Sequence, residues 1–319
     1  MLDQYLTDDD LDKALRHDVL DGLSSTPKSL PPKWFYDRRG SALFEDITRL
    51  AEYYPTRRER AILAERADDI ASLCGATTLL ELGAGSGEKT RLLLHGLQRF
   101  GTLERYVPVD VSGEFLAQTS GEIARDHPDI AVRPVVADYE RHLHLLPTVG
   151  RRLIAFLGGT IGNMPPRDRC QFLSQLAAAM EPDETLLLGA DLVKEVPRLL
   201  AAYDDARGVT AEFNRNVLRV INYHLDGDFR PDTFEHVAVW DADREWIEMR
   251  LRSTMDQTVH IGALDMAVDF ASGEEMRTEI SAKFRVHRLR AELADAGLRL
   301  YRWWTDPAGD FVVCLARLP

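Results

Sequence analysis

Three alternating glycines stand between a short apolar run and a polar stretch typical of a helix start. Gly83, Gly85 and Gly87 follow the apolar run 78–82, and Glu88 opens the polar stretch. Glycine lets a backbone turn with positive φ and approach a ligand closely, and a helix N-terminus offers unpaired N–H groups. The spacing G-x-G-x-G does not match the dinucleotide pattern G-x-G-x-x-G, which disfavours a nicotinamide cofactor. The loop therefore predicts a site for a small anionic or zwitterionic ligand.

Carboxylates and an aromatic ring follow the next two strand candidates. Asp110 ends the second strand, where a carboxylate can accept hydrogen bonds from ribose hydroxyls, although taken alone it is equally typical of a turn. Asp138 ends the third strand and Tyr139 follows it, a pair suited to the amino group and ring face of adenine. Open parallel sheets bind ligands at the carboxyl ends of their strands. This order of sites predicts S-adenosylmethionine as the cofactor.

The fourth strand candidate ends in a glycine-rich segment, 157–166, that contains Asn163. Asn163 lies where a methyl acceptor would meet this cofactor. The Asn-Pro-Pro-aromatic signature of nucleic-acid and protein amine methyltransferases is not matched, because Met164 interrupts it and Arg167 replaces the aromatic residue. The formal net charge of −13 also disfavours a phosphate backbone as substrate. We therefore expect no nucleic-acid partner.

The elements that must position these residues alternate along the chain. The strand candidates are 78–82, 106–111, 131–137, 152–157 and 185–190. Helical patterns separate them, and Thr56 with Glu59 matches a capping box at the start of the helix before the first strand. Such alternation predicts a parallel sheet with helices on both faces. Two final strands, 299–304 and 310–316, would close it as an antiparallel hairpin.

The fold class predicted is α/β, with a Rossmann-like S-adenosylmethionine-dependent methyltransferase domain. Its sheet is expected to be seven-stranded and mostly parallel. Helical runs followed by long alternating strands after about residue 195 predict a separate, smaller α+β lobe. The predicted boundaries are 56–195 and 285–319 for the methyltransferase domain, and 1–55 and 196–284 for the smaller α+β domain.

Compartment and metal content are also indicated by the composition. The N-terminal residues lack the order of a signal peptide, and no window approaches the roughly 20 apolar residues of a membrane span. The isolated cysteines Cys74, Cys170 and Cys314 show no metal-ligand spacing and are interpreted as buried thiols. We expect a cytoplasmic monomer with no membrane partner and no metal.

Segments spread over the whole chain resemble the histidine-specific Nα-methyltransferases of ergothioneine biosynthesis, which make hercynine (Nα,Nα,Nα-trimethylhistidine). These segments are 26–36, 52–57, 83–90, 156–163, 201–205, 274–284 and 303–307. The resemblance implies an S-adenosylmethionine-dependent enzyme that trimethylates the α-amine of L-histidine. The alternatives are a methyltransferase of another amino acid such as tryptophan, or a non-catalytic S-adenosylmethionine-binding protein.

The resemblance also implies that the smaller α+β lobe is substrate-binding, and it implies roles for individual substrate residues. Asn163 and Tyr203 would hold the substrate carboxylate and amine, and with Tyr36 they form the predicted catalytic set. Glu279 and Ser281 would hydrogen-bond the imidazole. Met249 would line the ring, and Tyr36 would reach its far side. For a tryptophan enzyme Glu279 and Ser281 would need to be apolar, and a non-catalytic protein should lack this pocket.

For the cofactor, the resemblance implies a second set of residues. These are Tyr53, Gly83, Lys89, Asp110, Asp138, Tyr139, Gly158 and Thr160. The family favours Phe at the position of Tyr139, so ring stacking is preserved while the added hydroxyl needs a partner. Because an activated sulfonium requires only alignment with a lone pair, neither a metal nor a covalent nucleophile is expected.

Overall fold

The computed structural model describes residues 2–85 and 87–319, and it divides into two compact units. The first unit comprises the residues up to Thr7, Pro55–Val193 and Phe284–Pro319, and the second comprises Asp8–Tyr54 and Lys194–Lys283. The sequence had grouped the first seven residues with the second unit. They differ because the short strand β1, Asp3–Gln4, pairs with the sheet of the first unit.

The first unit is built on one large sheet. Its strands, numbered along the chain, are β1 (Asp3–Gln4), β2 (Thr78–Leu82), β3 (Arg105–Asp110), β4 (Ala131–Val132), β5 (Val135–Val136), β6 (Arg152–Phe156), β7 (Thr185–Asp191), β13 (Arg299–Thr305) and β14 (Phe311–Arg317). The order is β1-β5-β3-β2-β6-β7-β14-β13, with β4 also paired to β3. Strands β1 to β7 pair in parallel, while β14 is antiparallel to β7 and to β13. The mostly parallel sheet with a closing antiparallel hairpin is confirmed.

The strand count differs from the seven expected, since the described residues of this sheet form nine strands. The candidate 131–137 is two short strands separated by Arg133 and Pro134, because proline has no N–H to donate to a strand ladder. The strand β1 is only two residues long and carries no alternating pattern that the sequence could reveal.

Helices of the first unit connect the strands. They are α3 (Pro55–Cys74), α4 (Glu88–Phe100), α5 (Gly113–Asp126), α6 (Tyr139–His142), α7 (Pro166–Ala178) and α10 (Val286–Asp295). The predicted capping box on α3 is wrong. The helix begins at Pro55, so Thr56 lies inside the first turn. The side chain of Glu59 is buried and hydrogen-bonds the backbone of Gly158 instead.

The second unit combines helices with two small antiparallel sheets. Its helices are α1 (Asp8–Ser24), α2 (Arg38–Thr48), α8 (Val196–Tyr203) and α9 (Val209–Leu225), and its strands are β8 (Phe234–Asp241), β9 (Trp246–Ser253), β10 (Gln257–Ile261), β11 (Met266–Phe270) and β12 (Glu275–Ala282). One sheet has the order β12-β9-β8, and the other pairs β10 with β11. Phe35, Phe213, Leu218, Phe234 and Ile247 are among the residues of its core.

Two further observations concern the surface. Cys74 and Cys314 are buried as expected, but Cys170 on α7 is exposed, so the prediction of three buried thiols is wrong at that position. Position 170 lies on the solvent side of α7, whereas Phe172 and Leu173 face the core. None of the helices in residues 2–85 and 87–319 combines the length and the apolar character that a membrane crossing requires.

Candidate active site

The predicted cofactor residues of the first unit lie at the carboxyl ends of neighbouring strands. Gly83 follows β2, Asp110 ends β3, Asp138 follows β5 and Gly158 follows β6. These strands are adjacent in the order β5-β3-β2-β6. Because all four are parallel, their carboxyl ends share one edge of the sheet, where open α/β sheets bind their ligands.

The loop after β2 is shaped by left-handed backbone at Gly83 (φ 75°) and Gly85 (φ 51°). Among the described residues, a Cβ atom at Gly85 would meet no other atom within 4 Å, and one at Gly83 would meet only Cε1 of Tyr139, at 3.9 Å. The space beside this loop is therefore open on one side and bounded by an aromatic ring. The loop leads into α4, whose first turn carries Lys89 and Thr90.

Asp110 is held by two backbone groups. Its carboxylate accepts hydrogen bonds from the N–H groups of Gly85, at 3.3 Å, and Ser112, at 3.1 Å. Burial raises the pKa of Asp110 above the ordinary aspartate value, and these N–H groups act in the opposite direction. The side chain is only partly buried, so oxygen lone pairs remain for a ligand that donates hydrogen bonds.

Tyr139 and Asp138 stand at the start of α6. The Tyr139 ring packs edge-on against Phe156, with centroids 5.3 Å apart, and against Phe172. Its hydroxyl makes no hydrogen bond to the described residues, and burial raises the pKa of that hydroxyl. The Asp138 carboxylate accepts from the N–H of Glu140 at 2.9 Å and so caps α6. Asp138 thus has a structural task in addition to the predicted contact with adenine.

Lys89 is paired with a residue that the sequence did not single out for this site. Its Nζ lies 2.5 Å from Oε2 of Glu59 on α3. Nζ also lies 3.4 Å from the position that a Cβ of Gly158 would take, and Thr160 Oγ1 lies 3.3 Å from the same point. Lys89, Gly158 and Thr160 are therefore brought together as predicted neighbours, with Glu59 as an unpredicted fourth member.

A second unpredicted carboxylate ties the glycine loop to the sheet. Glu81 near the end of β2 accepts hydrogen bonds from Thr90 Oγ1, at 2.6 Å, and from the Tyr106 hydroxyl, at 2.7 Å. Burial raises the pKa of Glu81 to about 7, and the two hydroxyl donors oppose that rise. The network joins β2, β3 and the first turn of α4, so it fixes the two ends of the loop.

Asn163 ends a short 3₁₀ helix, Thr160–Asn163, after β6. Its side chain is partly buried, and its amide makes no hydrogen bond to the described residues. An amide with an unused oxygen and unused N–H groups can bind both an amine and a carboxylate. The position suits the predicted acceptor role, which remains a prediction.

The predicted residues of the second unit include a chain of aromatic rings. Tyr36 packs against Phe44, with centroids 5.6 Å apart, and Phe44 packs against Tyr53 at 6.1 Å. Tyr53 in turn lies 6.1 Å from Tyr203 at the end of α8. Tyr53 was predicted to bind the cofactor, and its place in the second unit groups it with the predicted substrate residues.

Glu279 is a buried carboxylate on β12, 8% exposed, that makes no hydrogen bond or ion pair within the described part of the chain. Its strand partner on β9 is Met249, so both side chains lie on one face of the sheet. Burial raises the pKa of Glu279 to about 7, and the nearby Lys283 acts to lower it. The register shifts between Arg277 and Glu279, and such bulges re-aim side chains.

Ser281 belongs to a cluster of three buried polar side chains. Its Oγ lies 2.7 Å from the Tyr203 hydroxyl, and the ammonium of Lys283 donates to both oxygens at 2.8 Å. Glu279, Ser281 and Lys283 occupy alternate positions, so a carboxylate, a hydroxyl and an ammonium follow one another along one strand face. Lys283 was missed by sequence reasoning, because a lysine just after a strand is usually solvated.

A buried hydrogen-bond network contacts the backbone of Tyr203. His236 Nε2 lies 2.8 Å from the carbonyl oxygen of Tyr203, and His236 Nδ1 accepts from the Asn214 amide at 2.8 Å. Burial lowers the pKa of His236, and the two contacts fit a ring that donates from Nε2 and accepts at Nδ1. Asn214 also accepts from Thr278, the residue at the register shift of β12. The end of α8 and β12 are thereby linked.

The predicted residues therefore form two sets. Gly83, Lys89, Asp110, Asp138, Tyr139, Gly158, Thr160 and Asn163 lie in the first unit, and Tyr36, Tyr53, Tyr203, Met249, Glu279 and Ser281 lie in the second. Within residues 2–85 and 87–319, no group of three or more His, Cys, Asp or Glu side chains is arranged to hold a metal ion. The first set suits a ligand with hydroxyl, ring and charged groups, and the second suits a polar aromatic one.

Comparison with known proteins identifies a family that matches residues 15–318, that of S-adenosylmethionine-dependent, histidine-specific methyltransferases. The chain is 55% identical to the histidine N-alpha-methyltransferase of Mycolicibacterium smegmatis, over 99% of this chain and 98% of that protein. It is 56% identical to the protein of the same name from Mycobacterium tuberculosis, over 95% of this chain and 94% of that protein. It is also 32% identical to ergothioneine biosynthesis protein 1 of Neurospora crassa, over 64% of this chain and 24% of that protein. Because the family model and the first two of these relatives match nearly the whole chain, the chain belongs to the S-adenosylmethionine-dependent, histidine-specific methyltransferase family.

Proposed function

We propose that this enzyme methylates the α-amine of L-histidine three times in succession and so makes hercynine, a step of ergothioneine biosynthesis. The observation that carries the choice of histidine is the buried carboxylate of Glu279, which accepts no hydrogen bond from the described residues. A buried charge without a partner is costly, so a site that keeps one is suited to a ligand that supplies the missing donor. The ring N–H of an imidazole is such a donor.

The neighbours of Glu279 support histidine over tryptophan. An imidazole has a second ring nitrogen, and the hydroxyl of Ser281 can donate to it. The apolar side chain of Met249, which is the strand partner of Glu279, supplies a surface for the ring. An indole ring has one N–H and no second polar atom. It would therefore give the hydroxyl of Ser281, which lies beside Lys283, no acceptor on the ligand. Tyr36 completes the substrate set at the far side of the ring.

The residues of the first unit fit S-adenosylmethionine. The open space beside Gly85 admits a ligand, the carboxylate of Asp110 can accept from ribose hydroxyls, and the ring of Tyr139 offers a face for adenine. Gly83, Asp138 and Thr160 complete this set, Lys89 and Gly158 serve the amino-acid end, and Tyr53 supplies a further contact. When bound, this cofactor supplies a methyl group on a positively charged sulfur.

The task of the protein is then to present a neutral amine in line with that methyl group. An α-amine has a pKa near 8 and a somewhat higher one in a free amino acid, so only a small fraction of it carries a free lone pair at neutral pH. The amide of Asn163 and the hydroxyl of Tyr203 hold the amine and the carboxylate, and together with Tyr36 they form the proposed catalytic set. The amine proton passes to water, so no side chain has to act as a general base. Alignment of this kind can account for a large share of a rate enhancement.

The proposal extends to the arrangement of the whole protein. The methyltransferase domain would comprise 56–195 and 285–319, and the substrate-binding domain would comprise 196–284 with most of 1–55. We further propose that the enzyme acts as a monomer in the cytoplasm. Its partner would be a small-molecule substrate, and it would have no nucleic-acid or membrane partner. Gel filtration at several protein concentrations tests the monomer, since a concentration-dependent elution volume would contradict it.

The experiment that tests the substrate is product analysis. Purified enzyme is incubated with S-adenosylmethionine and either L-histidine or L-tryptophan. The products are separated by chromatography and identified by mass spectrometry. We expect mono-, di- and trimethylhistidine in succession and no methylated tryptophan. A product methylated on the imidazole ring, or tryptophan methylated at a similar rate, would contradict the proposal.

A further inference from the structure

Glu59 is a fully buried carboxylate that joins three elements of the first unit. It lies on α3, and both of its oxygens are 2.9 Å from the backbone nitrogen of Gly158, in the loop after β6. Its Oε2 also pairs with Nζ of Lys89 in the first turn of α4. One side chain thus holds a lysine of α4 and a backbone N–H of the loop after β6.

The sheet provides room for this carboxylate. Gly189 lies inside the buried strand β7, and a Cβ at that position would stand 1.9 Å from Oε1 of Glu59. Glycine inside a strand weakens it and is typical of a site where another group approaches the backbone closely. The carboxylate of Glu59, together with the ring of Phe311 at 3.2 Å from the same point, therefore gives Gly189 a specific reason to be glycine.

Lys89 keeps donors beyond the one that Glu59 accepts. An ammonium carries three N–H groups, and within the described residues Lys89 makes no other hydrogen bond or ion pair. Its side chain is 22% exposed, whereas that of Glu59 is fully buried. Lysine has a long flexible stem, so an anchor at one N–H restricts where the other two can point.

We propose that Glu59 is a positioning residue for the amino-acid end of S-adenosylmethionine. It fixes the ammonium of Lys89 and the N–H of Gly158 at the carboxyl ends of β2 and β6, and the remaining donors of Lys89 then bind the cofactor carboxylate. The inference rests on the assignment of Lys89 and Gly158 to the cofactor made above. It does not depend on which amino acid is methylated.

Two ligands separate this role from a general structural one. S-adenosylhomocysteine carries the amino-acid end, and 5′-methylthioadenosine has the same adenosine part without it. We measure the Kd of both by titration calorimetry for the wild-type protein and for Glu59→Gln. We expect the Kd of S-adenosylhomocysteine to rise on the order of tenfold, because a charge-assisted contact is misplaced, and that of 5′-methylthioadenosine to change by less than about twofold. An equal loss for both ligands, or no loss for either, would overturn the proposal.

Controls test whether Glu59 acts through Lys89. Glu65→Gln makes the same change at an exposed position of α3 and should leave both Kd values unchanged. Lys89→Met should reproduce the selective loss of affinity for S-adenosylhomocysteine. The double variant Glu59→Gln, Lys89→Met should bind this ligand no more weakly than Lys89→Met alone. If the losses of binding free energy in the two single variants add up in the double variant, the proposal is overturned. If Glu59→Gln does not fold, Glu59→Asp keeps the charge but shortens the reach, and a loss confined to S-adenosylhomocysteine is again expected.

Because no histidine is present in these titrations, their outcome is independent of the product analysis. A protein that methylates another amino acid would still show the selective loss.

Discussion

Buried carboxylates in this protein have partners at most positions. Glu184 pairs with the buried Arg152, and Glu81 accepts hydrogen bonds from two hydroxyls. Among the buried carboxylates of the described residues, Glu279 is the one that makes no such contact. A buried carboxylate without a hydrogen-bond donor is costly, and that cost appears as the raised pKa of Glu279, which is why a ligand that supplies the donor is central to the proposal.

Asp110 offers a direct test of the cofactor set. Asp110→Ala removes a charged acceptor from the ribose hydroxyls, so we expect S-adenosylhomocysteine binding to weaken by about 1.5–3 kcal/mol, measured by calorimetry. Asp126→Ala is the matched control, because Asp126 is largely exposed and pairs with Arg91 at the surface. Equal affinity in the Asp110 variant and the control would remove Asp110 from the site.

Lys283 tests the polar cluster of the second unit. Lys283→Met takes away the donor shared by Ser281 and Tyr203 and the positive charge that lowers the pKa of Glu279. We expect the KM for histidine to rise on the order of tenfold while the Kd of S-adenosylhomocysteine stays unchanged. Lys28→Met, at a lysine of the same unit paired with Glu274, serves as the control. A fall in cofactor affinity together with an unchanged KM would contradict this assignment.

Local patterns could identify some of these residues but not others. Asp110 was predictable because it ends a mostly apolar strand. Glu59 was not, because three positions after Thr56 it matches a capping box, while its actual partner Gly158 is 99 residues further along the chain. Lys283 was missed for a similar reason, since its partner Tyr203 is 80 residues away. Hydrogen bonds between distant residues leave no spacing in the sequence.

At the scale of elements, strongly patterned segments were predictable. Strands β2, β6 and β7 are buried along their whole length and stand out as apolar runs. The strand candidate 131–137 was divided by Pro134, and β1 exists only through its pairing with β5. Elements of two residues depend on tertiary contacts rather than on propensity, which is why the sequence could not define them.

The packing of α3 against α4 sets the separation of Glu59 and Lys89. A Cβ at Gly96 of α4 would lie 2.8 Å from the backbone of Ala67 on α3. Gly96→Ala gains about 1 kcal/mol of helix propensity, but the backbone contact forces the helices apart at a cost of about 1–3 kcal/mol. We therefore expect lower stability in chemical denaturation.

The matched control is Gly121→Ala on α5, where an added Cβ meets nothing within 4 Å. Only the gain in helix propensity applies there, so this variant should be more stable than the wild type by up to about 1 kcal/mol. Equal effects of the two substitutions would contradict the close packing of α3 and α4.

For the whole molecule, burial of Glu279 predicts a dependence of stability on pH. Its pKa is about 7 in the folded protein and lies near 4.5 without burial. Between these values the folded state binds more protons than the unfolded state, so the unfolding free energy falls as pH rises. Glu279→Gln removes this contribution. We therefore expect the stability of the variant minus that of the wild type to increase between about pH 5 and about pH 8, by at most about 3 kcal/mol.

Denaturant titrations of both proteins at these two pH values provide the measurement. Glu81 has a pKa raised in the same direction, so the wild-type slope should be reduced in the variant but not abolished. A difference between the two proteins that is the same at both pH values would contradict a raised pKa of Glu279.

The substrate could be predicted only from the whole chain. Taken singly, Tyr203 on a helix is typical of packing, and Glu279 in an alternating strand is typical of a solvated face. Their burial and the contacts around them appear only in the folded protein, because α8 and β12 are far apart in sequence. The family membership, by contrast, follows from similarity over nearly the full length.

The central claim is that Glu279 selects histidine, and a competition assay tests it most directly. Histidine and tryptophan are offered together to the wild-type enzyme, to Glu279→Ala and to Glu275→Ala, a control on the same strand whose carboxylate pairs with Arg250 and Arg252. We expect Glu279→Ala to lose about 30- to 150-fold in kcat/KM for histidine, or about 2–3 kcal/mol, with a narrower preference over tryptophan, while the control keeps the wild-type preference. An unchanged preference for histidine over tryptophan in Glu279→Ala would contradict the claim and remove Glu279 from recognition of the imidazole.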